Sequence, residues 1–172
     1  MATVIRGDDN FDTSIGSNVV QTHVTATSSQ SLSGGTRADI TNLTANITPK
    51  STSSKIMVEV RWAGEFSHVA PHDSVFGIRR GGVDVGNPSS SGSRAVGITT
   101  VSIGYPADSS TTPEVCHYSY LDSPATTGTT TYTASVMSNA TSTLYNNRTV
   151  ADPDAGHGER LTSSITLTEV QG

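Results

Sequence analysis

From Asn18 onward the chain alternates apolar and polar residues with a period of two. Val20, Val24 and Ala26 share one side of a first stretch, with Gln21 and His23 opposite. Leu43, Ala45 and Ile47 alternate with Asn42, Thr44 and Asn46 until Pro49 ends the run. The clearest stretch is 55–62, where Ile56, Val58, Val60 and Trp62 point one way and Met57, Glu59 and Arg61 the other. Strict alternation over four to eight residues is the signature of a strand with one buried face. Further strands are predicted at 74–80, running into the turn Gly81-Gly82, and at 94–104. In the latter, Val96 and Ile98 fall out of phase with Val101 and Ile103, which suggests a bulge at Thr99-Thr100. Cys116, Tyr118 and Tyr120 alternate with His117 and Ser119, and Tyr132, Ala134 and Val136 line another face. A short strand is expected near 144–148. In the last stretch Ile165, Leu167 and Glu169 share one side, with Thr166, Thr168 and Val170 on the other.

That makes about nine strands, separated by Ser/Gly/Pro/Asp clusters at 28–35, 87–93 and 108–113. No window of 11 or more residues carries a helical stripe. Strands without helical crossovers imply an antiparallel sandwich or barrel. Their outward positions are mostly Thr, Ser, Asn and Gln, and only Lys50 and Lys55 could serve as edge-guarding lysines. So bland an exterior suits a subunit whose sides meet identical subunits.

Residues 1–17 break the pattern. Val4, Ile5, Phe11 and Ile15 lie among Arg6, Asp8, Asp9, Asn10 and Asp12 without a useful period. This is read as an extended arm outside a domain spanning 18–172.

Composition supports the all-β reading. Ser and Thr together supply 51 of 172 residues, and Val plus Ile number 25 against 9 for Leu plus Met. Thr, Val and Ile suit a pleated surface and lose χ1 freedom in a helix. The net charge of −5 and scattered arginines give no basic stripe for nucleic acid. No apolar run nears the ~20 residues that span a bilayer, and the first residues lack a signal peptide's apolar segment. A single cysteine, Cys116, cannot form an internal disulfide or build a zinc site alone.

Candidate chemistry is thin. Asp8-Asp9-Asn10-Phe11-Asp12 opens like a calcium loop, but Thr13 and Val19 stand where an EF-hand needs Gly and Glu. The segment 152–159 gathers three carboxylates and His157 in a glycine-rich loop that could meet a hard cation or could simply be a turn. Cys116 and His117 are strand neighbours and should face opposite ways, so they cannot form a thiolate–imidazole pair. His72-Asp73 follows Pro71 without a marked nucleophile, and 82–86 lacks the continuation of a phosphate loop. Sequons at Asn42, Asn46, Asn139 and Asn147, and the tripeptide Arg6-Gly7-Asp8, are cheap by chance in so hydroxyl- and Asp-rich a chain. No catalytic residue, metal ligand or cofactor is expected, and the enzyme reading has little to stand on.

Several stretches carry a resemblance. They are Arg6-Gly-Asp-Asp-Asn-Phe-Asp-Thr-Ser14, Asn46-Ile-Thr-Pro-Lys-Ser-Thr-Ser-Ser-Lys-Ile56, Leu121-Asp-Ser-Pro-Ala-Thr-Thr127, Asn147-Arg-Thr149 and Ser163-Ser-Ile-Thr-Leu-Thr-Glu-Val170. In order along the chain, they resemble a family of small bacteriophage virion proteins. Its jelly-roll domain is similar to tumour necrosis factor and complement-type globular heads. The resemblance implies an antiparallel jelly roll of eight or nine strands, a homotrimer, and a place on the virion as capsid decoration (cement) or as a tail-fibre knob.

On the first alternative the arm anchors the trimer to the outer capsid surface through the major capsid protein. Val4, Ile5, Phe11 and Ile15 would be buried between coat subunits, with Arg6, Asp8, Asp9 and Asp12 meeting coat charges. Four such side chains give about 6–12 kcal/mol gross before ordering costs. On the second, the arm meets tail proteins and the head binds a host surface glycan or protein, with Tyr105, Tyr145 and Phe66 as candidate exposed aromatics. A hydrolase would need paired carboxylates across a groove, which no motif here locates.

Overall fold

The computed structural model describes residues 18–67, 73–90, 92–102 and 110–171. The arm, with Val4, Ile5, Arg6, Asp8, Asp9, Phe11, Asp12 and Ile15, lies outside the described residues. Ten strands follow in order: β1 (Val19–Val24), β2 (Ser28–Leu32), β3 (Arg37–Ile47), β4 (Lys55–Phe66), β5 (Ser74–Arg80), β6 (Val83–Val85), β7 (Glu114–Asp122), β8 (Thr130–Ser138), β9 (Ser142–Asn146) and β10 (Ser163–Val170). All named ladders are antiparallel. One sheet runs β1-β10-β4-β7, with β9 and β2 prolonging it past the end of β10; the other runs β3-β8-β5-β6. From β2 to β9 the chain changes sheet at every connection except the β5–β6 hairpin. That connectivity is a jelly roll.

The alternation read from the sequence builds the core. Ile56, Val58, Val60 and Trp62 of β4 are fully buried against Tyr132, Ala134 and Val136 of β8 and Phe76 and Ile78 of β5. Trp62 and Phe76 stack at 5.0 Å between centroids, with Phe66 and Tyr118 beside them. In a chain this poor in large apolar residues, hydroxyls also tie the layers together. The Tyr118 hydroxyl donates to the Gly77 carbonyl across the sandwich at 3.1 Å, and burial raises that phenol's pKa. Tyr132 donates to Asp122 Oδ2 at 2.7 Å, and Arg80 closes on the same oxygen at 2.7 Å. Buried polar groups are tolerable only when paired in this way.

Two backbone devices set the strand geometry. Gly81 and Gly82 both have positive φ, which a two-residue hairpin turn requires because its twist must match that of the flanking strands. In β3, Asn42 has φ 64° and the register passes from Asp39↔Ser135 to Thr44↔Thr133. Five residues of β3 thus advance against two of β8. This bulge lets Ile40 and Leu43, three apart, both face the core.

Four details differ from the sequence reading. The polar run Ser28–Leu32 is a strand, because its backbone pairs with β9 while only Leu32 needs burial. Ala26 lies beyond the end of β1 and is exposed. Residues 94–102 do not form a strand. Thr99 bridges Phe76 in one sheet and Ser102 bridges Val115 in the other, so the phase slip at Thr99-Thr100 marks a crossover between layers. The predicted strand at 144–148 is Ser142–Asn146.

β9 and β10 lie end to end along one side of β4. Leu144↔Phe66 and Asn146↔Gly64 belong to β9, and Ser164↔Arg61 begins β10. β1 and β2 form a matching pair of segments outside them. Asn147 sits at the shared break, completely buried with φ 61°. Its amide donates to Ala63 O at 2.9 Å, and its Nδ2 donates to Val24 O and Ala26 O, both at 2.9 Å. The Ser163 hydroxyl donates to its Oδ1 at 2.7 Å. Residues 148–162 leave the sheet as an excursion from this point.

Candidate functional site

The start of the described body is held firmly. Asn18, the first described residue, donates from Nδ2 to Thr48 O at 2.9 Å and to Glu169 Oε2 at 3.1 Å, while its carbonyl accepts from the Glu169 amide. Glu169 Oε1 accepts from the Lys50 amide at 2.7 Å. One inward carboxylate thus joins β10, the β3–β4 turn and Asn18. Burial pushes the pKa of Glu169 up, but the nearby Ser54 hydroxyl, hydrogen bonds from the Lys50 amide and Asn18, and the Lys50 charge outweigh it and lower it overall.

A carboxylate depressed on folding stabilises above its unfolded pKa, and that contribution is lost as pH falls through the folded value. Glu169→Gln should therefore lower stability by about 1 kcal/mol near neutrality. Thermal melts of the two proteins from about pH 7 to pH 3 check this: the gap should narrow below about pH 4.

The two outer faces contrast. On the four-stranded sheet, Arg37 lies across its neighbours, bonding Ser135 Oγ at 3.2 Å, Asp84 at 3.0 Å and the Val96 carbonyl. Gly77 leaves its path open, since a Cβ there would sit 2.9 Å from Arg37 Nη1. Arg79 pairs with Asp39 at 2.9 Å and Asp84 at 3.5 Å. This face is charged and cross-linked by its own ion pairs, unlike the nearly uncharged exterior expected from the sequence.

On the other sheet, the register lines up Val19, Thr168, Met57 and Leu121 in one row across β1, β10, β4 and β7. Val19 and Leu121 are exposed at 53% and 39%, and Val170 nearby at 43%. Two rows further along, His23, Ser164, Arg61 and His117 stand side by side. An open cleft of about 350 Å³ lies next to them, lined by Arg61, Val115, His117 and the crossover residues Thr99, Thr100 and Ser102.

The sequence's chemical candidates separate. Cys116 faces inward, with burial pushing its thiol up to about 12, and His117 is exposed on the opposite side. His72 and Tyr105 lie outside the described residues. Phe66 is buried in the aromatic cluster, which removes it from the proposed exposed aromatics. Tyr145 is half-buried beneath Arg148, whose guanidinium stands 4.4 Å over its ring. In 152–159, Asp152 is gripped by Arg160 at 2.8 Å and Arg148 at 3.5 Å, and no group of three or more ligating side chains suited to a metal occurs among the described residues. Of the sequons, Asn147 is buried while Asn42, Asn46 and Asn139 are exposed.

The Arg37 lattice and the Arg61–His117 pairing were not foreseen, because outward residues become neighbours only once register is known. No protein-family profile matches the chain, and no curated protein matches it in sequence. The fold therefore defines the class, a jelly-roll β-sandwich.

Proposed function

We propose that the chain is a bacteriophage virion structural protein, a homotrimeric capsid decoration protein fixed to the outer shell by residues 1–17. The carrying observation is the clamp on Asn18, which gives any preceding segment a rigid root at one end of the sandwich. A fixed base lets a bound segment hold the body in one orientation on its target.

The row of Val19, Met57 and Leu121 supports contact between copies, since the opposite outer face is already closed by its own ion pairs. The four stretches of the family resemblance beyond the arm, at 46–56, 121–127, 147–149 and 163–170, fall within the described body. Bound to the assembled shell but not to its dissociated subunits, such a protein stabilises the shell by mass action. Three arms on one trimer raise the effective concentration of the second and third attachments.

Deletion of residues 2–17 tests this. The expected product is a folded trimer by light scattering that no longer sediments with capsids, whereas the intact chain saturates them. Normal decoration by the deletion variant would overturn the anchoring role, and a monomeric intact chain would overturn the trimer.

A further inference from the structure

The cleft beside β7 stands apart from the apolar row, and what it can bind does not depend on the virion reading. Arg37, Arg79, Arg80, Arg148 and Arg160 are all held against carboxylates. Arg61 differs. Its Nη1 donates to the carbonyl and hydroxyl of Thr162, and among the described residues its guanidinium pairs with no carboxylate. Nε and Nη2 make no hydrogen bond there, so part of a planar five-donor fork remains for a ligand.

His117 stands directly across the ladder from Arg61 and is exposed. Thr99, Thr100 and Ser102 line the cleft beside them, the Thr99 hydroxyl donating to the Thr100 carbonyl, and Val115, 42% exposed, adds an apolar surface. Glu59 lies on the same sheet face, two residues back on β4 and roughly 7 Å along the strand. Coulomb energy falls as 1/r, so an anion in direct contact with Arg61 feels the nearer charge more strongly than one further along the strand.

The volume decides the size of the guest. About 350 Å³ lies near the lower end of the roughly 300–1,000 Å³ typical of small-molecule sites, more room than a bare ion fills and enough for one sugar ring. We propose that this cleft binds the carboxylate-bearing ring of an acidic sugar. The carboxylate meets Arg61 and His117, ring hydroxyls meet Thr100 and Ser102, and the ring's apolar face lies on Val115.

The apolar row does not compete for the same ground. Leu121 is four residues from His117 on β7, roughly 13 Å away.

The probe is glucuronate, titrated into isotope-labelled full-length protein at low salt, where charge pairing is least screened. Saturable NMR shifts are expected at Val115, His117, Thr100, Ser102 and the Arg61 Nε–H. Glucose, which lacks the carboxylate, and acetate, which lacks the ring, should each bind about tenfold more weakly. Arg61→Gln should weaken glucuronate by about the same factor while the Trp62 indole signal stays in place. If that substitution disturbs the fold, Thr100→Val at an exposed position serves instead, with an expected loss of about threefold. Shifts that never saturate, glucose or acetate binding as well as glucuronate, or unchanged affinity in the variant would overturn the site.

Discussion

Gly64→Ala should leave little folded protein. A Cβ at this position of β4 would stand 2.0 Å from the Tyr145 carbonyl oxygen and 2.8 Å from the Trp62 ring. The first is backbone on the adjacent β9, so no rotamer change relieves it. Either β9 leaves β4, breaking the pairing from Gly64↔Asn146 to Phe66↔Leu144, or Trp62 shifts and loses its 2.8 Å bond to Asn146. Overpacking a dense core costs about 1–3 kcal/mol even when side chains can move, and a backbone clash exceeds that, so we expect at least about 5 kcal/mol. At about 2–4 °C per kcal/mol for a domain of this size, the melting temperature should fall by 10 °C or more, read by circular dichroism. Gly156→Ala is the control: its Cβ would meet nothing within 4 Å, and its effect should stay within about 0.5 kcal/mol.

Asn147→Ala should be nearly as damaging, for the opposite reason. Nothing clashes, but Val24 O, Ala26 O and the Ser163 hydroxyl lose their partner at a completely buried point. An orphaned buried polar group costs about 1–3 kcal/mol, so three partners suggest about 3–5 kcal/mol once neighbours adjust. Alanine also dislikes φ 61°, at about 1 kcal/mol. Asn147→Gly separates the two causes. It relieves the backbone but restores no hydrogen bond, so it should recover only about 1 kcal/mol over alanine in denaturant titrations. Full recovery by glycine would mean that the side-chain bonds contribute nothing.

The buried half of this fold was legible because burial leaves a period. Ile56, Val58, Val60 and Trp62 had to share a face, and even Glu169 could be placed inward beside Ile165 and Leu167 by counting alone. What failed was whatever pairs without needing burial. Ser28–Leu32 is polar enough to read as a loop, yet its amides complete the edge of β9. Residues 94–102 are apolar enough to read as a strand, yet they divide their contacts between two sheets. The bulge at Asn42 hid the first half of β3 for a similar reason, since Ile40 and Leu43 stand three apart.

The candidate sites were harder still. Arg61 and His117 are 56 positions apart and become neighbours only through the β4–β7 register. Arg37 reaches Asp84 because Gly77 and Ser135 between them are small, a relation no periodicity encodes. Residues 1–17, read as an arm because alternation is missing there, lie outside the described residues.

The excursion at 148–162 has a practical side. Its two ends already touch, because the Ser163 hydroxyl bonds Asn147 Oδ1 and the Leu161 amide bonds the Asn147 carbonyl. Inside them, Val150 caps Glu65, and Asp152 latches to Arg160. Whatever lies between Asp152 and Arg160 hangs from a closed neck, and closing a longer loop costs only about 0.6 kcal/mol per doubling. Foreign sequence spliced there would be displayed outside the sandwich while the two sheets beneath keep their own seams shut.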